Sequence, residues 1–83
     1  MNIIILNLSR RTTAEELIEL FKTYGSVESC DIVMDKQNGE SKGFGFINMP
    51  DDDESEAAII SLHGTELDGY RIRVKASNKA KPS

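Results

Sequence analysis

Cysteine occurs once in this sequence, at Cys30, and histidine once, at His63. A lone thiol excludes an internal disulfide, and one Cys with one His cannot supply the ligand clusters of the usual metal sites, so neither a metal nor another cofactor is expected. No nucleophile–base pair can be assembled either. His63 stands at the end of an apolar segment, where a structural or solvated role is expected, and the chain does not read as an enzyme. Long apolar runs are also missing: Ile3-Ile4-Ile5-Leu6 falls far short of the ~20 residues a membrane helix needs, and no basic leader precedes it. A monomer in a reducing, cytoplasmic setting, away from membranes, is the expectation. The acidic run Asp51-Asp52-Asp53 lacks the continuation of a calcium loop, which would need glycine and glutamate where Glu56 and Leu62 stand.

An overall basic excess is absent as well. The formal charge is -4, with an isoelectric point near 4.9, which for a uniform sphere would disfavour a polyanionic partner. The charges are not uniform, however. Arg71 to Ser83 holds Arg71, Arg73, Lys75, Lys79 and Lys81 and no acid, whereas Asp51 to Tyr70 holds seven acids and no Lys or Arg.

What is present suits one folded unit. Eighty-three residues, 39% of them hydrophobic and 29% charged, make a single soluble domain with a core of its own. The β-branched segment Asn2 to Leu6 predicts a short buried strand. Thr13-Ala14-Glu15-Glu16 has capping-box spacing, and Ala14, Leu17, Leu20, Phe21 and Tyr24 recur at helical steps, with Gly25 predicted as a left-handed stop. Val27 to Met34 predicts a strand with Cys30, Ile32 and Met34 on one side and Ser29, Asp31 and Val33 on the other, closed by an Asn38-Gly39 turn. Gly43 to Met49 alternates cleanly, so that Phe44, Phe46 and Asn48 share one face and Gly45, Ile47 and Met49 the other. Pro50 ends that strand. Asp51 to Asp53 begin a second helix with Ala58, Ile59 and Leu62 inward, stopping at His63-Gly64. Arg71 to Ala76 predicts the last strand, with Ile72 and Val74 inward and Arg71, Arg73 and Lys75 outward.

The order strand, helix, strand, strand, helix, strand is the split βαβ arrangement of an α+β sandwich. Two helices cover one face of a four-stranded sheet. The composition of the other face therefore decides the function.

Lys42-Gly43-Phe44-Gly45-Phe46-Ile47-Asn48-Met49 resembles the octapeptide signature of the RNA-recognition motif family: basic, Gly, aromatic, small, Phe, aliphatic, any, aromatic. Five of the seven specified positions agree, Ile47 is a conservative variant, and Met49 replaces the last aromatic. Ile3-Ile4-Ile5-Leu6-Asn7-Leu8 resembles the family's first-strand hexapeptide, with Ile4 where an aromatic is usual. Tyr24-Gly25-Ser26-Val27, Ala58-Ile59, Leu62-His63-Gly64 and Leu67-Asp68-Gly69 extend the likeness over nearly the whole chain. The length also resembles the short single-domain members found in bacteria, although a segment cut from a longer protein would look the same. The resemblance implies a ferredoxin-like βαββαβ sandwich over residues 1–77, a four-stranded antiparallel sheet with two helices on one face. Residues 78–83 are expected to form a flexible basic tail.

The resemblance also implies single-stranded RNA as the partner, with single-stranded DNA as an alternative. A large aromatic on an open strand face finds a matching π-surface in any nucleobase. Phe46 is expected to stack under a base and Phe44 to pack against a base or between sugars, while Lys42 meets a phosphate. Stacking is worth roughly 1 to 3 kcal/mol per base, so two phenylalanines supply roughly 2 to 6 of the ~8 kcal/mol that micromolar binding needs. Arg71, Arg73 and Lys75, helped by Lys79 and Lys81, are the expected sources of the remainder, with Asn48 and the aliphatic Ile4 also on the RNA-binding face, and modest affinity and modest sequence preference are expected. A module that binds protein is the competing reading, favoured by the acidic balance and by the outward Ile4 and Leu6.

Overall fold

The computed structural model describes residues 1–77, and the tail expected over residues 78–83 lies outside the described residues. β1 (Asn2–Leu6) is an inner strand, antiparallel to β3 (Ser41–Asn48) on one side and to β6 (Arg73–Ser77) on the other. β2 (Ser29–Met34) pairs with the far side of β3, which gives the sheet order β2-β3-β1-β6. Side chains alternate along a strand, so Ile3 and Ile5, Ile47, and Val74 project to one side. There they are fully buried with Leu17 and Phe21 of α1 (Ala14–Lys22) and Ala58 and Leu62 of α2 (Asp52–Leu62). Both helices thus lie on one face. Among the described residues, no helix is long and apolar enough to cross a membrane.

Each helix begins where a side-chain oxygen accepts from an early amide. Thr13 accepts from the Glu16 amide at 3.2 Å, and Asp51 from that of Glu54 at 2.9 Å. The carboxylates in both first turns complement the positive end of the helix dipole. α1 ends at Thr23, however, and Gly25 does not adopt the predicted left-handed conformation. Its smallness serves packing instead: a Cβ there would run into the Glu54 side chain, which accepts from the Ser26 amide.

The last quarter of the chain holds an element beyond the predicted six. Asp68 and Gly69, with φ of 52° and 84°, form a tight turn that folds β4 (Glu66–Leu67) onto β5 (Tyr70–Arg71). The predicted strand from Arg71 is thereby divided. Arg71 pairs with Glu66 in this hairpin, and the sheet strand begins only at Arg73. The outer side of β6 is covered in part: Gly64 donates to the Ile72 carbonyl, Ile72 to that of Thr65, and Val74 to His63 Nδ1 at 3.1 Å. This gives the lone histidine a structural place at the sheet margin.

β2 also departs from simple alternation. The register shifts between Ile32 and Met34, and Met34 is 51% exposed rather than packed beside Cys30 and Ile32. At the neighbouring position on β3 stands Gly45, where a Cβ would sit 2.7 Å from the Asp31 carbonyl oxygen. The close approach is therefore made by the backbone of β2. Gly45→Ala should cost about 1 to 3 kcal/mol of folding stability, as overpacking in a close-packed interior does. Urea unfolding measures it, and a midpoint equal to that of the wild type would contradict the account.

Candidate nucleic-acid interface

The face away from the helices can be laid out from the strand registers. One row across the sheet runs Asp31, Phe46, Ile4, Lys75. A neighbouring row runs Ser29, Asn48, Asn2, Ser77, and on the other side Phe44, Leu6 and Arg73 stand in line. Phe44, Phe46, Ile4 and Leu6 are half-buried on this face. The two phenylalanine rings meet edge to face, with centroids 6.2 Å apart and planes at 80°. In this arrangement each ring holds the other's orientation while leaving π-surface for a third partner.

Lys75 and Arg73 border this apolar patch on β6, both exposed and neither in an ion pair with a described residue. Lys42 is also exposed. It lines a cleft of about 340 Å³ together with Phe44, Ser41, Asn38, Glu40, Asp35 and Arg10. Arg71 is exposed but does not stand on a strand of the four-stranded sheet. It belongs to the β4–β5 hairpin, and its carbonyl accepts from the Asn7 side chain at 2.8 Å. The sheet thus brings together Ile4, Phe44, Phe46, Asn48, Arg73 and Lys75, with Lys42 at its rim.

A roomier cleft, about 690 Å³, lies elsewhere, along α1. Glu15, Glu16 and Glu19 line it with Ile18, Leu20 and Leu67, and no Lys or Arg among the described residues does. Near it, the neighbouring Asp68 carboxyl first, and burial second, hold the Glu16 pKa above the usual carboxylate value. Asp68 is held below its own usual value, chiefly by the Thr12 hydroxyl, which donates at 2.7 Å, and then by Glu16. Volume alone would point to this cleft, but its carboxylates repel a polyanion. The sheet face is the nucleic-acid candidate.

Residues 3–73 match the family model described as RNA recognition motif. The chain belongs to the RNA recognition motif family. It is 43% identical over 72 residues to glycine-rich RNA-binding protein 1 of Mycosarcoma maydis, an alignment spanning 87% of this chain but 41% of that protein. With a Nostoc sp. protein named as an RNA-binding protein, RbpB, it shares 43% over 82 residues, 99% of this chain and 77% of the relative. Among solved structures it resembles the RNA-binding protein PG1, at a TM-score of 0.94 and 35% identity over 99% of both chains. It also resembles the Rna15 RRM with bound RNA (GU), at 0.85 and 26% over 99% of this chain and 87% of that one.

Within this RNA recognition motif, sequence reasoning missed Asn2 and Arg10. Asn2 lay outside the motif, but its register opposite Asn48 puts it on the open face. Arg10 follows β1 and reaches Glu40 at 3.2 Å, closing one side of the cleft beside Phe44. Only the spatial meeting of two loops reveals that contact.

Cys30 lies on the helix side of β2, half-buried. Burial first, and the charge of Asp31 second, push its thiol up to about 11. A group whose folded pKa is raised adds stability below its unfolded value and loses it as pH rises through the folded one. The Cys30 contribution should therefore fade between roughly pH 9 and pH 11. At pH 8 only about one thiol in a thousand is thiolate, so iodoacetamide should alkylate the native RNA recognition motif far more slowly than the urea-unfolded chain. Equal rates would refute the buried thiol.

Proposed function

We propose that this domain binds single-stranded RNA across the open sheet face, with Phe46 stacking under one base and Phe44 packing against the next nucleotide. The observation that carries the reading is the pair of half-buried phenylalanines on the strand face away from both helices, bordered by Arg73 and Lys75 and with Lys42 at the rim. Aromatic rings left open to water there lower solubility unless a partner covers them, and bases fit them. The bordering cations supply the sequence-independent phosphate attraction that two stacking residues cannot. Support also comes from the Rna15 RRM, whose bound RNA (GU) belongs to a domain of the same fold.

Ile4 stands between Phe46 and Lys75 without a π-face, so the charged contribution weighs more than in a three-aromatic platform. Micromolar or weaker affinity for a short strand follows, with single-stranded DNA as a competitor of similar strength, because stacking does not distinguish the sugars. The reading is of a monomeric binding module in the cytoplasm and not of an enzyme. A protein partner is the second reading. The acid-lined groove over α1, with its apolar Ile18, Leu20 and Leu67, favours it.

Phe46→Ala should weaken binding of mixed oligoribonucleotides by roughly 5- to 150-fold, the equivalent of 1 to 3 kcal/mol. Fluorescence anisotropy at low salt measures it, and no wild-type binding at ~100 μM protein would overturn the RNA reading. Arg73→Ala and Lys75→Ala should each lower the slope of log K against log salt by about 0.7, the single-strand value per phosphate. Unchanged slopes would remove those two side chains from the interface.

A further inference from the structure

We propose that Asn2 and Asn48 form a base-reading pair, their mutually hydrogen-bonded amides contacting the edge of the nucleobase that stacks on Phe46. This rests on the RNA reading above and adds to it the residues that select between bases.

The pair is built by register. Asn2 and Asn48 stand directly opposite one another on β1 and β3, and the Asn48 Nδ2 donates to the Asn2 Oδ1 at 2.7 Å. Both side chains are half-buried on the open face, so the bond fixes two short amides in one orientation while their tops remain accessible. That bond uses one N–H of Asn48 and one lone pair of Asn2. An amide group brings two donors and two acceptor lone pairs, so both N–H groups of Asn2 and the oxygen of Asn48 are not used by the bond between them. Exchanging the two roles leaves the same set. Adjacent donor and acceptor is the pattern that every nucleobase edge presents in its own order, and side-chain amides are the usual neutral readers of it.

Position favours this edge over the others. Successive same-face side chains on a strand lie ~7 Å apart, so a ring stacked on Phe46 brings its polar edge within hydrogen-bonding reach of the next row. In one direction that row is Phe44, Leu6 and Arg73, two thirds apolar. In the other it is Ser29, Asn48, Asn2 and Ser77, wholly neutral and polar. A base edge turned toward Phe44 and Leu6 would lose its water without replacement, whereas one turned toward the amides exchanges water for hydrogen bonds. The phosphates then fall toward Lys75 and Arg73. Cations there position the strand without reading it, and the neutral row reads it without adding net charge.

The test compares wild type, the double variant Asn2→Ala/Asn48→Ala and Phe46→Ala against labelled eight-nucleotide oligo-U, oligo-C and oligo-A, by anisotropy at one fixed salt concentration. The expected result is at least a fivefold spread among the three oligomers for wild type, collapsing to within about twofold in the double variant. Phe46→Ala should instead weaken all three together. A double variant that keeps the wild-type spread, or loses affinity equally for all three, overturns the proposal, as does a wild-type spread below twofold. Wild type binding none of the three overturns the RNA reading itself, a result distinct from those. Should the alanine pair not fold, Asn2→Ser/Asn48→Ser, which continues the serines already at both ends of the row, carries the same comparison.

Discussion

The register of β1 between β3 and β6 is the constraint on which the sheet's two faces both depend. Ile3 and Ile5 must meet the helices, and the pleat then sends Asn2, Ile4 and Leu6 to the other side with no further choice. A slip of one residue would bring Ile4 and Leu6 into the core and expose Ile3 and Ile5, and on β3 it would exchange Phe46 for Ile47. Core packing thus holds the surface constellation in place. The rows of the open face are the outer side of the pairing that buries Ile3, Ile5, Ile47 and Val74, and no loop has to be ordered to form them.

Glycine at position 45 is part of the same constraint. β2 comes so close to β3 there that only a residue without a side chain fits, and the irregularity in β2 follows directly. Asp31 and Phe46 are brought opposite one another at that point, so the aromatic platform is seated beside a strand that bends. Gly43, with φ of 84° and its carbonyl bonded to the Leu8 amide at 2.8 Å, ties the start of β3 to the loop after β1 in a similar way. The octapeptide glycines are accounted for by backbone geometry, and its phenylalanines stand together on the sheet face away from the helices.

Much of this was legible in the sequence because it is periodic or local. Thr13 and Asp51 announce their helices through a side chain that bonds within three residues, and the alternation of Phe44 to Met49 fixes which side chains share a face. The rest depends on distances the sequence does not carry. Gly25 looks like a helix stop, yet it answers to Glu54, a residue of the other helix. Asp68-Gly69 is a strong hairpin signal, but the strands it joins are two residues long, too short to alternate, so Arg71 read as a continuation of the last strand. Arg10 and Asn2 lie outside any motif. The first gains its place from a loop thirty positions later, and the second from a pairing partner forty-six positions away.

The substitution at Ile4 gives the division of labour on this surface its physical sense. With an aliphatic side chain between Phe46 and Lys75, the row that would hold a second stacked base offers dispersion contacts but no π-surface, so stacking falls short of what useful affinity requires. Charge can make up the difference only locally, since the molecule as a whole is acidic. Most of its carboxylates belong to α1, to the start and first turns of α2 and to the β4–β5 hairpin, whereas Arg73 and Lys75 stand on the open face, with Asp31 at the far end of the Lys75 row. A polyanion approaching from the helix side is repelled and one approaching the sheet is attracted, a contrast that a uniformly basic domain would not provide. Attraction of that kind is indifferent to sequence and is screened by salt. Selectivity on such a surface has to come from neutral groups of fixed geometry. The amide pair beside Phe46 has that geometry because the register that buries the core also sets Asn2 against Asn48.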